Sequence, residues 1–499
     1  MSKSCIIIGS GLGGLSCGVI LAKNGYRVTV LEQGTQIGGC LQCFSRRGVR
    51  FETGMHFIGS ADKGQTLHKL MNYLELTGDK IKLNRLDTGC YDTVSLGGEK
   101  FKFANGREAF IEQMSSYFPK ETDNLNRYFT LIEKISQASS LHSLRYADSD
   151  IAVSTEYMMR SMNEVLDEII GDPTLRSVLA GTLPLYAAEM DKTPFASHAY
   201  IMDFYNQSAF RIVGGSDSLA TSMRETIEKF GGEVLTRKQV KKIICDDTRA
   251  TGVETADGCI YTADSIISAI HPARTMELLD TKLIRPAFRN RIMTMRNTTA
   301  GFSVYLHFKK DTVPFLNYNY YSYSGNTPWH CESYDEATWP KGYLYMHFCH
   351  KENPRFAESG VILSYMSMDD VAEWENTYIE HRGDSYRQFK ERKAMKLLCC
   401  LEKEFPGISN CIEHYYTSSP LTYRDYTGTE GGSMYGVAKD INLGVANRVP
   451  HKTRIPNLYL SGQNINSHGI LGVFVGSIVT CSEYLTAEEI YRQITACNL

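Results

Sequence analysis

Gly9, Gly11 and Gly14 form a G-x-G-x-x-G that stands directly behind the apolar run Cys5-Ile-Ile-Ile8 and at the head of a helical pattern over residues 15–24. A continuous apolar run of this kind reads as a strand buried on both faces. Asn24-Gly25 stops the helix, and Arg27-Val-Thr-Val-Leu31 supplies the next strand. The result is one βαβ unit, which predicts an α/β chain built on a doubly wound parallel sheet. The three glycines serve different ends. The first allows the tight turn, the second lets backbone approach a pyrophosphate, and the third lets helix pack on strand. The helix N-terminus turns N–H groups and the positive end of its dipole toward the phosphates. Glu32 closes the second strand, where a carboxylate can take ribose hydroxyls. A dinucleotide cofactor is therefore expected, against the plainer reading of a glycine turn without a ligand.

The rest of the chain decides which dinucleotide. The fingerprint occurs once, and Gly38-Gly39 follows soon after Glu32, a feature a simple nicotinamide dehydrogenase does not need. Far downstream the chain returns to an apolar strand, Leu458-Tyr-Leu460, followed by Ser461-Gly-Gln463 and a glycine-rich stretch over 469–476. A long cofactor held along its whole length needs contacts from distant segments, which favours FAD. With no second fingerprint, NAD(P)H is expected only as an external electron donor.

Between these ends the pattern changes twice. Residues 65–205 read as mostly helical, with Met158, Met162, Val165, Leu166 and Ile169 at helical spacing over 156–170 and Gly171-Asp-Pro173 as a stop. From Gly214-Gly215 a helix over 219–230 and strands near 233–236, 240–245, 251–254 and 265–269 restore the sheet pattern. Short alternating runs at 303–309, 317–324, 342–349 and 361–367 predict a mostly antiparallel sheet, and a helix over 385–405 follows, with Asp384 as its N-cap. At about 150 residues per domain, 499 residues suggest three units. The motif order reduces these to two discontinuous ones: an FAD-binding domain over 1–64, 206–272 and 450–499, and a substrate domain of antiparallel sheet plus helices over 65–205 and 273–449.

Composition narrows the function classes. With 53 Lys+Arg against 56 Asp+Glu the net charge is −3, and no long run of one sign occurs. Nucleic acid is not an expected partner. Fourteen scattered cysteines give no disulfide framework, and neither a signal peptide nor a transmembrane run is visible. A cytoplasmic protein is expected, with membrane contact only at the surface. Tyrosine is in excess, 30 against 21 Phe and 3 Trp. Tyr305, Tyr318, Tyr320, Tyr321, Tyr343 and Tyr345 gather in the predicted sheet, with strand packing as the default reading and a pocket wall as the alternative.

Taken together, the residues at 9–14, Glu32, Gly38-Gly39, Gly214-Gly215-Ser216 with Leu219, Val240 and the segment 458–476 resemble the phytoene desaturase, carotenoid isomerase and retinol saturase branch of the FAD-dependent amine oxidase superfamily. Within it, Gly38-Gly-Cys-Leu-Gln-Cys-Phe44, Thr53-Gly-Met-His-Phe-Ile-Gly59, Gly432-Ser-Met-Tyr-Gly436 and Tyr459-Leu-Ser-Gly-Gln463 look most like retinol saturases. Desaturases and amine oxidases usually carry Arg after the glycine pair, where this chain has Cys40. The resemblance implies that Gly9, Gly11, Gly14, Glu32, Gly38, Gly39, Val240, Gly462, Gln463 and Gly472 bind FAD. It also implies hydride transfer between flavin N5 and an apolar polyene or isoprenoid, most simply as saturation of a double bond. Cis-trans isomerisation with reduced FAD, desaturation, or a flavin-containing lipid carrier remain as alternatives.

Proton handling then falls to a protein acid or to water. His56, Glu430 and Tyr435 are the candidates, each with a structural role as the plainer reading, and His468 is a candidate flavin contact. Cys40 and Cys43 form a C-x-x-C without a second pair to complete four zinc ligands, and they follow a glycine doublet. Small packing residues are the preferred reading over a redox disulfide, and no metal is expected.

Overall fold

Strand Ser4–Ile8 is buried along its whole length because it is the middle strand of a five-stranded parallel sheet. A computed structural model, which describes residues 3–144, 151–349 and 353–499, orders this sheet Glu233–Leu235, Arg27–Leu31, Ser4–Ile8, Ser265–Ser268, Leu458–Leu460. All four pairings are parallel. Side chains alternate across the sheet. Cys5 and Ile7 pack with Leu15, Val19 and Val475 of the helices Leu12–Lys23 and Gly469–Cys481. Ile6 and Ile8 face the other way, toward Val240, Ile243 and Val253 of the antiparallel meander Val240–Cys245, Ala250–Thr255, Ile260–Thr262. The sheet is thus covered on both faces, as its unbroken apolar strands require.

A second sheet of seven strands runs in the order Ile412–Ser418, Ala300–Phe308, Ala357–Met366, Gly342–Cys349, Asn319–Tyr323, Asp92–Leu96, Glu99–Phe103. It is antiparallel except where Asn319–Tyr323 meets Asp92–Leu96. One face, with Phe302, Val304, Tyr320, Tyr343 and Tyr345, packs against the helix Gly383–Glu404. The opposite face, with Tyr305, Tyr321, Tyr323, Leu344, Met346 and Val361, packs toward helices that include Thr122–Ala138 and Phe195–Gln207. The tyrosine cluster is therefore split: Tyr320, Tyr343 and Tyr345 turn away from the face that carries Tyr305 and Tyr321.

Several local expectations are corrected. The region read as mostly helical also holds the strands Leu83–Arg85, Asp92–Leu96 and Glu99–Phe103, whose alternating Lys100, Phe101, Lys102 and Phe103 carry a strand period in too short a run to stand out. The helix expected over 156–170 is two helices, Ile151–Met158 and Met162–Ile169, because the Ser161 hydroxyl accepts the Glu164 N–H at 3.1 Å and starts the second. Met162 is fully buried, while Met158 belongs to the other helix and is only half-buried. In Gly383–Glu404 the N-cap position falls on Arg382, and Asp384 sits in the first turn. Among the described residues no helix is long and apolar enough to cross a membrane.

Candidate active site

The glycines of the opening motif close a tight cradle at the C-terminal edge of the parallel sheet. Gly9, at φ +95°, donates its N–H to the Leu31 carbonyl at 2.8 Å, in a conformation that suits glycine. A Cβ on Gly14 would lie 2.0 Å from the Gly9 carbonyl oxygen, so helix Leu12–Lys23 sits directly on the turn. A Cβ on Gly13 would come within 2.6 Å of the Gly462 Cα, which brings the last strand's turn onto the same helix. Gly38 donates its N–H to the Ser10 carbonyl at 3.0 Å, and a Cβ on Gly39 would lie 3.2 Å from the Gly11 Cα. Gly9, Gly11, Gly14, Gly38, Gly39 and Gly462 thus converge.

Gly11 alone of these faces open space. It is the N-cap of its helix, at φ −62° and ψ 173°, and a Cβ there would meet nothing within 4 Å. No side chain caps the N-terminus of this helix or of Gly469–Cys481. At the second, His468 occupies the N-cap position and its Nε2 is buried without a partner. An open backbone approach, two helix N-termini without side-chain caps and an orphaned ring nitrogen fit an extended dinucleotide.

Glu32 has a structural role that its position in the motif did not reveal. One carboxylate oxygen accepts from the Ser10 N–H at 3.0 Å and the Ser10 hydroxyl at 2.6 Å, and the other accepts from the Gly34 N–H at 2.7 Å. It therefore fixes the turn between Gly9 and Gly11 while keeping lone pairs to spare. Val240 is buried at the start of its strand, opposite Thr255. Gly472 lets the turn before its helix fold close, since a Cβ there would stand 2.6 Å from the Ser467 Cβ. Gln463 is half-buried in that same turn.

The proton-handling candidates separate. His56 is held neutral: burial, then the Arg211 cation, lowers its pKa to about 3, and its Nδ1 has no partner. Arg211 is buried and ties three segments together, donating to the His56 carbonyl at 3.3 Å, the Tyr318 carbonyl at 3.4 Å and the Asn319 Oδ1 at 2.9 Å. Glu430 is exposed, and its charge acts on the buried ring of His271. Tyr435 donates its hydroxyl to the Pro184 carbonyl at 2.9 Å, and its ring lies 4.6 Å from that of His468. Burial and the Lys439 cation lower the His468 pKa to about 3. The structure brings Tyr435 and His468 together and leaves Glu430 apart. Cys40 and Cys43 are free thiols whose pKa burial pushes up to about 11, so neither has the thiolate character of a redox cysteine.

Sequence reasoning missed a cluster of hydroxyls. The Tyr423 Oη lies 3.0 Å from the Ser303 Oγ and donates to the Thr53 carbonyl at 3.3 Å, and the Tyr305 Oη lies 3.2 Å from the Ser418 Oγ. Ser303 and Ser418 are direct partners across adjacent strands, so their hydroxyls leave the sheet at one point. Nothing in the runs Ala300–Phe308 and Ile412–Ser418 singles the two serines out.

A family model described as flavin containing amine oxidoreductase matches residues 12–477. All-trans-retinol 13,14-reductase of Rattus norvegicus is 28% identical over 98% of this chain and 87% of its own. Prolycopene isomerase of Arabidopsis thaliana is 23% identical over 97% of this chain and 82% of its own. Among solved structures, an oxidoreductase from Methanosarcina mazei superposes with a TM-score of 0.65 at 16% identity, over 96% of this chain and 100% of that one.

Proposed function

Because the chain belongs to the flavin containing amine oxidoreductase family, with FAD as its cofactor, we propose that it reduces a carbon-carbon double bond of an apolar polyene, as the retinol 13,14-reductases it resembles do by name. The observation that carries this reading is that the similarity to those reductases spans 98% of the chain and so takes in both the cradle and the seven-stranded sheet. Prolycopene isomerase covers nearly as much, which keeps isomerisation as the second reading.

FAD supplies hydride chemistry. The protein's part is to hold, orient and keep dry. Gly11 and the N-terminus of Leu12–Lys23 would receive the pyrophosphate, Glu32 the ribose, and the backbone at Val240 the adenine. Gly38, Gly39 and Gly462 would let the chain pass close to the cofactor, and Gly472 and His468, with Tyr435 beside it, would hold its flavin end. Neutral His56 and the apolar side chains near it, Phe57 and Phe348 among them, would exclude water from the substrate. The division into a cofactor unit and a substrate unit follows the two sheets. The electron donor is proposed to be a nicotinamide nucleotide that visits the flavin.

The test is a single turnover. Holoprotein is photoreduced without oxygen and mixed with all-trans-retinol, and flavin absorbance and product mass are followed. Reduction returns the oxidised flavin spectrum and adds two hydrogens to the product. An isomer of unchanged mass supports the second reading, and ligand binding with neither change supports a carrier. Failure of every polyene to reoxidise the flavin would refute the reductase.

A further inference from the structure

Reduction of a double bond consumes a proton as well as a hydride, and the three residues singled out for that proton are poor sources. His56 is neutral at physiological pH, Glu430 is exposed, and the Tyr435 O–H is committed to the Pro184 carbonyl. Tyr423 is enclosed, unlike Glu430, and its hydroxyl has a second partner, the Ser303 Oγ at 3.0 Å, besides the Thr53 carbonyl at 3.3 Å. It stands on the helix Pro420–Thr427, whose start is fixed by a reciprocal cap between Ser419 and Thr422 and by the Tyr386 hydroxyl, 2.7 Å from the Ser419 Oγ. Gly428, at φ +68°, ends the helix. The glycine-rich segment that follows is pressed against the helix start, where a Cβ on Gly432 would lie 2.1 Å from the Pro420 carbonyl oxygen. The ring is therefore held by its own backbone.

Its hydroxyl sits where the cradle meets the substrate sheet. On the cradle side are the Thr53 carbonyl and Cys40, the residue that follows Gly38-Gly39. On the sheet side, Ser303, Ser418 and Tyr305 turn their hydroxyls toward it. The Tyr423 hydroxyl thus lies where the segment packed on Cys40 meets the seven-stranded sheet. Burial raises the Tyr423 pKa, and the Ser303 hydroxyl at 3.0 Å, with the Tyr305–Ser418 hydroxyl pair beside it, offsets part of that cost by stabilising the anion left when the proton is given up.

Resting on the reductase reading, we propose that Tyr423 is the catalytic acid of the reaction, with Ser303, Ser418 and Tyr305 as the hydroxyl cluster behind it. One carbon of the double bond takes a hydride from reduced flavin, and its neighbour takes the Tyr423 phenolic proton. Both C–H bonds form, the π bond is lost, and two electrons pass from flavin to substrate. The phenolate, held meanwhile by the buried Ser303 hydroxyl, regains its proton from solvent water once product leaves.

The experiment compares wild type, Tyr423→Phe, Ser303→Ala and Tyr435→Phe as holoproteins. Without substrate, any alkaline step in the oxidised flavin spectrum beyond the flavin's own N3–H ionisation should vanish in Tyr423→Phe and persist in Tyr435→Phe. In single turnover with all-trans-retinol in deuterated water, Tyr423→Phe should lose 10²–10⁴-fold in rate, the range of a positioned acid. At the carbon that takes the proton, its residual product should carry solvent deuterium on either face, where the wild type places it on one; the hydride carbon takes deuterium from the exchanged flavin in every variant. Ser303→Ala leaves the ring in place and should slow turnover by roughly tenfold while keeping one face; it carries the test if Tyr423→Phe fails to retain FAD. Turnover of Tyr423→Phe at the wild-type rate with one-sided deuterium overturns the assignment alone. A wild type that no polyene reoxidises overturns the reductase reading and this assignment with it.

Discussion

Gly11→Ala separates a cofactor cradle from a mere glycine turn. At φ −62° and ψ 173° the position lies in a region any residue adopts, and the added Cβ meets no protein atom within 4 Å. Two small effects then act on the apoprotein. Loss of backbone freedom in the unfolded chain stabilises by about 0.4–1 kcal/mol. Alanine is a poorer N-cap than glycine by up to about 1 kcal/mol. They nearly cancel, so the apoprotein's unfolding midpoint should move by less than ~0.5 kcal/mol in equivalent stability. With FAD bound, the same methyl enters filled space, where overpacking costs about 1–3 kcal/mol. That corresponds to a rise in Kd of roughly 5- to 150-fold at about 1.4 kcal/mol per decade. Gly14→Ala is the contrast: its Cβ would stand 2.0 Å from the Gly9 carbonyl oxygen, so the helix must retreat and the apoprotein itself should lose about 3 kcal/mol or more. Urea denaturation of apoprotein and flavin fluorescence titration measure the two quantities separately. Wild-type FAD affinity in Gly11→Ala would refute the cradle, and an unshifted denaturation midpoint in Gly14→Ala would refute the packing.

Two further outcomes follow from groups away from the cradle. His56, His198, His347 and His468 have pKa values lowered to about 3 and His142 to about 4, chiefly by burial. The unfolded chain therefore binds these protons near pH 6.5 and the native chain does not, so their contribution to stability is level above about pH 6.5 and falls as pH drops toward 3–4; a urea midpoint that stays constant from about pH 7 to 5 would contradict this. Tyr320→Phe removes a hydroxyl bond to Glu404 on the sheet face that packs on Gly383–Glu404. It should cost about 1 kcal/mol of stability and leave single-turnover rates unchanged, and a large kinetic loss would place Tyr320 in the pocket after all.

The parallel sheet was legible in the sequence because its strands are continuous apolar runs bounded by glycine turns, a pattern that survives without tertiary information. Strands Asp92–Leu96 and Glu99–Phe103 were not, because five alternating residues beside long helical stretches say little until Asn319–Tyr323 supplies their partner. The glycine cradle was legible for the same reason as the sheet: its residues are constrained locally. The second role of Glu32, holding Ser10 and Gly34, needed coordinates, since a hydrogen-bonding carboxylate looks the same in a string whichever partner it takes. Tyr423, Ser303 and Ser418 were harder still. Residues from a helix and two strands meet at one oxygen, and neither serine stands out in its own run.

The sheet order has a consequence for the time at which the cradle exists. Leu458–Leu460 pairs with Ser265–Ser268, which is made much earlier, and Gly462 lies against Gly13 near the other end of the chain. During synthesis the strand Ser265–Ser268 must wait with one edge unpaired while the intervening residues emerge and fold. That edge is a site for wrong pairing until its partner arrives. A nascent or shortened chain that stops before residue 458 would hold the whole G-x-G-x-x-G and still lack the wall that completes the cradle. Cofactor capture is therefore a late event in the life of the polypeptide, and FAD supply at that moment bears on how much of it escapes aggregation.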